Sequence, residues 1–214
     1  MKILLAGDST VANCPTFEYP MTGWGAELAP LVYEWAAVHN LAKGGASTES
    51  FREEGLWDEL LKTAGPADAV LLQFGHNDQK LSHLAADTGY AANLERMIDE
   101  VRAVGAWPVL CTSVERRNFV NGVQTATLSD YVQAVLTVAA RAEVSVIDLA
   151  TWTTALYSNA GEEGSTAYFT HFRPGEHAHW ADGLVDNTHL NRNGAAAVAA
   201  RVAAELVRIR QVPV

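Results

Sequence analysis

Three residues in two distant parts of the sequence could together transfer an acyl group. Ser9 follows the apolar run 2–6, where a strand would end, and Asp186 stands three residues before His189. An aspartate at that spacing in a turn can contact the histidine Nδ1, which leaves Nε2 free to take a proton from a serine. The three residues therefore predict a Ser–His–Asp triad with Ser9 as the nucleophile.

Two further segments carry groups that could bind a negative charge developing on a substrate. Gly44 and Gly45 follow the second apolar run, where glycine lets a backbone N–H approach a ligand without obstruction. Asn77 follows the third run and offers a side-chain amide, the kind of donor that an oxyanion hole requires. We interpret the neighbouring Asp78 as a helix N-cap, in preference to a residue that positions these loops.

The elements that must position these residues alternate between short apolar runs and longer segments with helical periodicity. The apolar runs predict five strands, over residues 2–6, 35–40, 68–74, 107–112 and 144–149. The periodic segments predict helices over 90–104, closed by Gly105, over 128–142, and from Asn193–Gly194 onward. The last helix is expected to carry inward Val198, Val202, Leu206 and Ile209. A helix before the second strand is expected to have on one face Leu28, Leu31 and Val32, and a short helix after that strand is marked by Leu56, Leu60 and Leu61.

This alternation predicts an α/β fold with a five-stranded parallel sheet and helices on both faces. Right-handed crossovers and a doubly wound, flavodoxin-like strand order are expected, in a single domain over 1–214. The carboxyl ends of the strands would then bring Ser9 and the other candidate residues to one crevice. The stretch 157–187 lacks periodicity and is predicted to be a long irregular loop with a functional role.

Composition excludes several classes of partner. The net charge of −10 argues against nucleic acid and against anionic membrane surfaces. No apolar run approaches the roughly 18 residues of a membrane span, and the first residues lack the apolar core of a secretory signal, so a cytoplasmic location is expected. Cys14 and Cys111 have no metal-site or disulfide-framework spacing and are expected to be reduced thiols.

Several side chains are candidates for contact with a substrate. His76 lies beside Asn77, and either a substrate contact or a supporting role is open. Arg116 and Arg117 follow the fourth strand, where a guanidinium could bind a substrate carboxylate or could form an internal salt bridge, to Glu115 or to the late loop. In that loop Trp180 is the best candidate for stacking on a ligand, with His179 beside it.

The late loop also raises the question of a metal. His171, His177 and His179, with Asp182, could suggest zinc, but their spacing matches no metal motif. Contacts between the loop histidines and a substrate are favoured over ligation, so no metal or cofactor is predicted.

With these motifs in place, the sequence resembles the SGNH or GDSL-type hydrolases. Four blocks of that family occur in order over nearly the whole chain: Gly-Asp-Ser with Ser9, a glycine at Gly45, Gly-x-Asn-Asp with Asn77, and Asp-x-x-His with Asp186 and His189. The phrases Gly-Asp-Ser-Thr-Val-Ala, Gly-Gly-x-Ser-Thr-x-Ser-Phe and Asp-Asn-Thr-His resemble more narrowly its rhamnogalacturonan acetylesterase branch. Ala46, His179 and Trp180 depart from the residues expected in that branch.

The resemblance implies a serine esterase that removes acetyl groups from carbohydrate, with acetylated pectic oligosaccharides as the expected substrates. It implies attack by Ser9, proton transfer to His189, orientation of His189 by Asp186, and an oxyanion hole made of the N–H groups of Ser9 and Gly45 and the Asn77 side chain. Water would then hydrolyse the acyl-enzyme.

Two other functions stay open at this stage. A lipase-like or acyl-thioester hydrolase of the same superfamily would need a long apolar groove, whereas the loops here are rich in His, Arg and Trp. A non-catalytic binder on a flavodoxin-like fold would need a glycine-rich phosphate loop after the first strand, and the sequence has none there. The sequence around Ser9 also lacks the second glycine of a Gly-x-Ser-x-Gly elbow, which argues against an α/β-hydrolase.

Overall fold

The structure, a computed structural model, describes residues 1–210 and contains nine strands. In chain order these are β1 (Lys2–Gly7), β2 (Ala37–Asn40), β3 (Ala69–Gln73), β4 (Trp107–Cys111), β5 (Phe119–Val120), β6 (Val123–Gln124), β7 (Ser145–Ile147), β8 (Phe169–Phe172) and β9 (Leu184–Leu190). Five of them form a parallel sheet in the order β2-β1-β3-β4-β7. This is the predicted flavodoxin-like order, so the fold class is confirmed.

Over residues 1–210, seven α-helices connect and cover the strands. They are α1 (Ala29–Val32), α2 (Ser50–Glu53), α3 (Leu56–Thr63), α4 (Ala91–Ala103), α5 (Ser129–Ala142), α6 (Leu149–Gly164) and α7 (Arg192–Arg210). Short 3₁₀ helices span Thr16–Glu18, Trp24–Glu27, Asp78–Lys80, Ser82–Leu84 and Ser165–Tyr168, and a π-helical turn spans Ala86–Tyr90. Within residues 1–210, no helix combines the length and apolar character that a membrane span requires.

Two apolar cores flank the sheet because successive strand residues point to opposite faces. Ile3 and Leu71 belong to the core that includes α7, whereas Leu4 and Val70 belong to the core that includes α3, α4 and α5. All four side chains are buried, as expected for central parallel strands covered on both faces. The sheet is therefore a rigid platform whose carboxyl-end loops can carry a site.

The helices predicted from periodicity are confirmed, but one residue of α1 does not face the core as predicted. Leu94, Met97, Ile98 and Val101 of α4 are buried, and so are the four inward residues predicted for the last helix. The prediction that Leu31 shares a buried face with Leu28 and Val32 is wrong. Leu31 lies in the four-residue helix α1, and its side chain is 47% exposed.

The prediction of an irregular loop over residues 157–187 is also wrong for much of that stretch. Residues up to Gly164 complete α6, and a β8–β9 hairpin follows, so the irregular part lies between Phe172 and Leu184. The segment of α6 is rich in Thr, Ser, Asn and Gly, which have low helix propensity, and its backbone leaves the helical region at Gly161. Packing of Leu149 and Tyr157 into the core stabilises it instead. Residues 211–214 of the predicted domain lie outside the described residues.

Candidate functional site

Ser9, His189 and Asp186 form a continuous chain of hydrogen bonds. The Ser9 Oγ lies 3.0 Å from the His189 Nε2, and the His189 Nδ1 lies 2.6 Å from the Asp186 Oδ2. Ser9 reaches this position from the end of β1, while the other two residues come from β9. The structure thus brings together the three residues predicted as a triad, in the order that lets the imidazole take the serine proton.

An irregularity of β9 sets the aspartate beside the histidine. Asp186 pairs with Thr170 and Leu190 pairs with the adjacent Phe169, so three extra residues of β9, 187–189, lie between the two pairs. The sequence predicted that Asp186 and His189 lie in a turn, but they lie in a strand that contains a bulge of three residues. In a regular strand, residues three apart would point to opposite faces, and the bulge removes this obstacle.

Backbone donors and the histidine fix the carboxylate of Asp186. The Oδ1 accepts hydrogen bonds from the N–H groups of Thr188 and His189, each at 2.8 Å. Burial alone would raise the pKa of Asp186, but these bonds, with the one to the His189 ring, lower it below its ordinary value. The carboxylate therefore stays ionised and can stabilise a protonated His189.

Hydrogen bonds among the buried side chains of Asp8, Thr10 and Gln73 fix the turn that carries Ser9. Gly7 leaves no room for a side chain, since a Cβ there would come within 2.7 Å of the Gln73 carbonyl oxygen. The Oδ1 of Asp8 accepts hydrogen bonds from the N–H and the hydroxyl of Thr10, at 2.9 and 2.7 Å. Gln73 Nε2 donates to the Thr10 hydroxyl in turn, at 2.6 Å. Ser9 is thus presented by a turn with little freedom.

Three donors are available near Ser9 for a developing negative charge. Neither the Ser9 N–H nor the Gly45 N–H has a hydrogen-bond partner within residues 1–210. Gly45 adopts φ +79°, which favours glycine, and a Cβ there would meet nothing within 4 Å. The Asn77 Nδ2 donates to the Ala46 carbonyl at 3.0 Å and has a second hydrogen to offer. Gly45, Asn77, Ser9 and His189 line one cavity.

The interpretation of Asp78 as an N-cap is wrong. Its side chain is fully buried and makes no capping bond to the 3₁₀ helix Asp78–Lys80. Its Oδ1 instead accepts from the N–H and hydroxyl of Thr48, at 2.9 and 2.6 Å, and its Oδ2 accepts from the Gly75 N–H at 3.1 Å. Asp78 therefore ties the loop that follows Gly45 to the loop that precedes Asn77.

Replacing Asp78 by Ala is expected to lower the free energy of unfolding by about 3 kcal/mol, because three buried donors lose their acceptor. Urea denaturation of wild type and variant measures this difference. Asp99→Ala, at an exposed position in the middle of α4, is the matched control and should change stability by less than about 0.5 kcal/mol. Equal stability of the two variants would contradict the role given to Asp78.

His76 does not face the cavity, contrary to the substrate contact considered for it. Its side chain is 4% exposed, and its Nδ1 lies 3.3 Å from the Oδ2 of Asp8, the residue before Ser9. Burial would raise the pKa of Asp8, but the nearby His76 ring and the hydrogen bonds from Thr10 lower it. His76 thus supports the turn that carries Ser9.

Arg116 and Arg117 are engaged inside the protein. Arg116 donates to the Thr127 hydroxyl at 3.1 Å. Arg117 donates to the Glu162 carbonyl oxygen, to the Ser165 hydroxyl at 3.1 Å and, from its side chain, to the Asn187 Oδ1 at 3.2 Å. Its backbone N–H also donates to the Asn187 carbonyl at 2.9 Å. Arg117 therefore braces the bulge next to Asp186, and neither arginine lines the cavity around Ser9.

The cavity beside Ser9 has a volume of about 730 Å³, and its wall combines charged and amide side chains with apolar ones. Trp180 lines it, as expected for a stacking residue, and packs on Phe172 with ring centroids 5.6 Å apart. His179 is not part of this lining and packs between Phe17 and Trp180. Two lysines that sequence reasoning missed, Lys43 and Lys80, also line the cavity.

Cys14 lines the same cavity but is a poor nucleophile. Burial and the nearby Glu18 carboxylate raise the pKa of its thiol to about 11. The thiol therefore stays protonated near neutral pH. Cys14 and Cys111 are both free thiols, as predicted.

The late-loop histidines have separate contacts. His171 Nε2 lies 3.0 Å from the Asn187 Oδ1, and His177 Nε2 lies 2.9 Å from the Tyr19 carbonyl oxygen. Within residues 1–210, no three His, Cys, Asp or Glu side chains come close enough to hold a metal ion. His171, His177, His179 and Asp182, the residues considered for zinc, therefore do not form a set of metal ligands among residues 1–210.

Comparison with known proteins bears on the chemistry of this site. Residues 5–197 match the model of the GDSL-like Lipase/Acylhydrolase family. The chain is 44% identical to the rhamnogalacturonan acetylesterase RhgT of Bacillus subtilis over 204 residues, 95% of this chain and 88% of that protein. It is 34% identical to the probable rhamnogalacturonan acetylesterase YesY of the same species, over 94% and 90% of the two chains.

A solved structure agrees with the same assignment. The crystal structure of YxiM from Bacillus subtilis superposes with a TM-score of 0.84 at 28% identity. The match covers 99% of this chain and 57% of the YxiM chain, so this chain spans little more than half of that protein. The hydrogen-bonded Ser9, His189 and Asp186, the family match and the relatives agree, and the chain belongs to the GDSL-like lipase/acylhydrolase family.

Proposed function

We propose that this protein is a serine esterase that removes acetyl groups from carbohydrate, with acetylated pectic oligosaccharides of the rhamnogalacturonan type as its substrates. The observation that carries the proposal is the Ser9–His189–Asp186 chain of hydrogen bonds, which opens on a cavity lined by Asn77, Lys43 and Lys80. The substrate class is supported by the rhamnogalacturonan acetylesterases among the relatives, at 44% and 34% identity.

In the first half-reaction the Ser9 oxygen attacks the carbonyl carbon of the acetyl ester while His189 Nε2 takes the serine proton. The carbonyl oxygen becomes an oxyanion, which the N–H groups of Ser9 and Gly45 and the Asn77 amide stabilise. When the tetrahedral intermediate collapses, the bond to the sugar oxygen breaks. His189 returns the proton to that oxygen, which leaves a free sugar hydroxyl and an acetylated Ser9.

In the second half-reaction water replaces the sugar. His189 takes a proton from the water as its oxygen attacks the acetyl-serine carbonyl, and the same donors hold the second oxyanion. Collapse breaks the bond to the Ser9 oxygen, the proton returns to Ser9, and acetate leaves. Asp186 stays ionised throughout and stabilises the imidazolium that forms twice in each turnover.

The cavity favours a sugar over a long acyl chain. Its wall includes the polar side chains of Asn13, Lys43 and Lys80 beside the apolar Ala12, Ala42 and Met21, and it does not form a continuous apolar groove. Trp180 offers the one large aromatic surface of the lining within residues 1–210, and we propose that it packs against a sugar ring. The cytoplasmic location expected from the sequence stays a prediction.

The function is tested by measuring acetate released from acetylated rhamnogalacturonan oligosaccharides, beside 4-nitrophenyl esters of increasing acyl length. The proposal expects acetate from the oligosaccharide and a steep fall in kcat/KM from acetate to octanoate. Ser158→Ala, at an exposed position on α6, serves as the control. Rising activity with chain length, or no acetate from the oligosaccharide, would contradict it and favour a lipase-like enzyme.

The pH dependence of the reaction follows from the histidine. The hydrogen bond to Asp186 raises the pKa of His189 above its ordinary value of 6.5, although burial opposes the rise. A general base acts in its neutral form, so kcat/KM should increase with pH through a midpoint above 6.5. Asp186→Asn removes the negative charge and should move this midpoint to lower pH. A pH–rate profile of both proteins measures the shift, and an identical midpoint would contradict the coupling.

A further inference from the structure

Two lysines line the cavity beside Ser9 although the chain as a whole is acidic. The net charge is −10 and the sequence has only four lysines, yet two of them, Lys43 and Lys80, line this cavity. Both belong to the strand-end loops that also carry Gly45 and Asn77. The carboxylate in the lining, Glu18, belongs to a different segment, the 3₁₀ helix Thr16–Glu18. The two lysines of the cavity thus lie in the segments that carry the oxyanion donors.

The two lysines differ in their partners. The Lys43 ammonium already has a carboxylate partner, Glu54. The Lys80 ammonium donates to a neutral acceptor, the Asn77 Oδ1, at 2.8 Å. Within residues 1–210, no carboxylate oxygen lies within 4.0 Å of the Lys80 Nζ. Because an ammonium has three N–H donors, Lys80 keeps donors and an unpaired charge for a ligand.

This charge lies close to the position where the ester must bind. Adding the length of an amide group to the 2.8 Å contact puts the Lys80 Nζ at most about 5 Å from the Asn77 Nδ2. The Nδ2 is the atom proposed to contact the ester oxyanion. A second functional group on the same sugar ring as the acetyl ester therefore lies within reach of Lys80.

We propose that Lys80 selects substrates in which the acetylated sugar also carries a carboxylate, that is, acetylated uronates. The proposal rests on the esterase function proposed above and deepens it, by assigning the group that recognises the charge of the substrate. The uronate carboxylate ion-pairs with the Lys80 ammonium while the acetyl group lies between Ser9 and Asn77. Arg116 and Arg117, the residues first considered for this contact, are held by internal hydrogen bonds and do not line the cavity.

The test compares two substrates that differ only at C6 of the sugar: acetylated galacturonate, which has a carboxylate there, and acetylated galactose, which has a hydroxymethyl group. Wild type should prefer the uronate in kcat/KM. Lys80→Gln should lower that preference about tenfold, the effect of one charge-assisted contact, and Lys80→Arg should keep most of it. Because Lys80 also holds Asn77, some loss on both substrates is expected, so the ratio of the two kcat/KM values is the readout.

Added salt should reduce the wild-type preference and leave that of Lys80→Gln nearly constant, since salt screens the ion pair. Lys62→Gln, at an exposed position on α3, is the control and should keep the full preference. An unchanged ratio in Lys80→Gln, or no preference in wild type, overturns the assignment of Lys80 while the esterase function stands. Absence of acetate release from both sugars by wild type would instead overturn the proposed function, and this inference with it.

Discussion

Replacing Ser9 by Ala is expected to lower kcat for ester hydrolysis by about 10⁶-fold, and His189→Ala should have an effect of the same order. Ser9 supplies the atom that becomes acylated, and His189, with its Nε2 3.0 Å from the Ser9 Oγ, supplies the base. The small remaining activity would come from binding and from the oxyanion donors, which both variants keep. Steady-state rates of acetate release measure the change.

Two further variants distinguish loss of the triad from a general loss of structure: the Ser9→Ala/His189→Ala double variant and Asp186→Ala. Ser9→Ala combined with His189→Ala should be no slower than either single variant, because the two residues act as one unit. Asp186→Ala should cost less, about 10⁴-fold, since the imidazole can still accept the proton. His39→Ala, at an exposed position on β2, should retain full activity. Additive losses, or an active Ser9→Ala, would contradict the triad.

Replacing Asn77 by Ala should lower kcat by about 10²- to 10³-fold with little change in KM. Its amide hydrogen meets a full negative charge only in the transition state, so its removal acts on the chemical step. The ground-state carbonyl gains little from it, which leaves substrate binding nearly unchanged. Initial rates over a range of substrate concentrations separate kcat from KM.

The control for Asn77 is Asn159→Ala, an exposed asparagine on α6 that should leave both parameters unchanged. A rise in KM with constant kcat would contradict the role of Asn77 as an oxyanion donor and would place it in substrate binding instead. A similar loss in Asp78→Ala, without loss of stability, would indicate that the loop position rather than the Asn77 amide controls the rate.

The sheet and its order could be predicted because the central strands depend on simple local signals. Each strand is a short apolar run that ends at small or polar residues, and β3 is apolar on both faces, as a covered parallel strand must be. The helices α4 and α7 show clear spacing of buried residues for the same reason.

The hairpin of β8 and β9 could not be predicted because its signals are not local. The bulge at 187–189 depends on the register with β8 and on the contacts of Asn187 with Arg117 and His171. Sequence spacing placed Asp186 near His189 but for a different backbone reason, a simple turn. The helix α6 was missed because its stability comes from packing, while its composition favours a loop.

In the site, too, the residues that belong to motifs could be predicted from the sequence, whereas the residues that hold them in place could not. Ser9, Asp186, His189, Gly45 and Asn77 follow from residue type and spacing at strand ends. The tie from Asp78 to Thr48, by contrast, joins residues 30 positions apart. Lys80 carries no motif at all, and only its place in the cavity, beside Asn77, distinguishes it from an ordinary surface lysine.

The most direct test of the central claim is to identify the residue that reacts with a fluorophosphonate ester, which phosphonylates the activated serine of a serine hydrolase and releases fluoride. The account predicts one label for each chain, carried by the peptide that contains Ser9, with complete loss of activity. Ser9→Ala should take up no label, and His189→Ala should react much more slowly because the serine is no longer activated. A label on another residue, or activity that persists in the fully labelled protein, would contradict the assignment of Ser9 as the nucleophile.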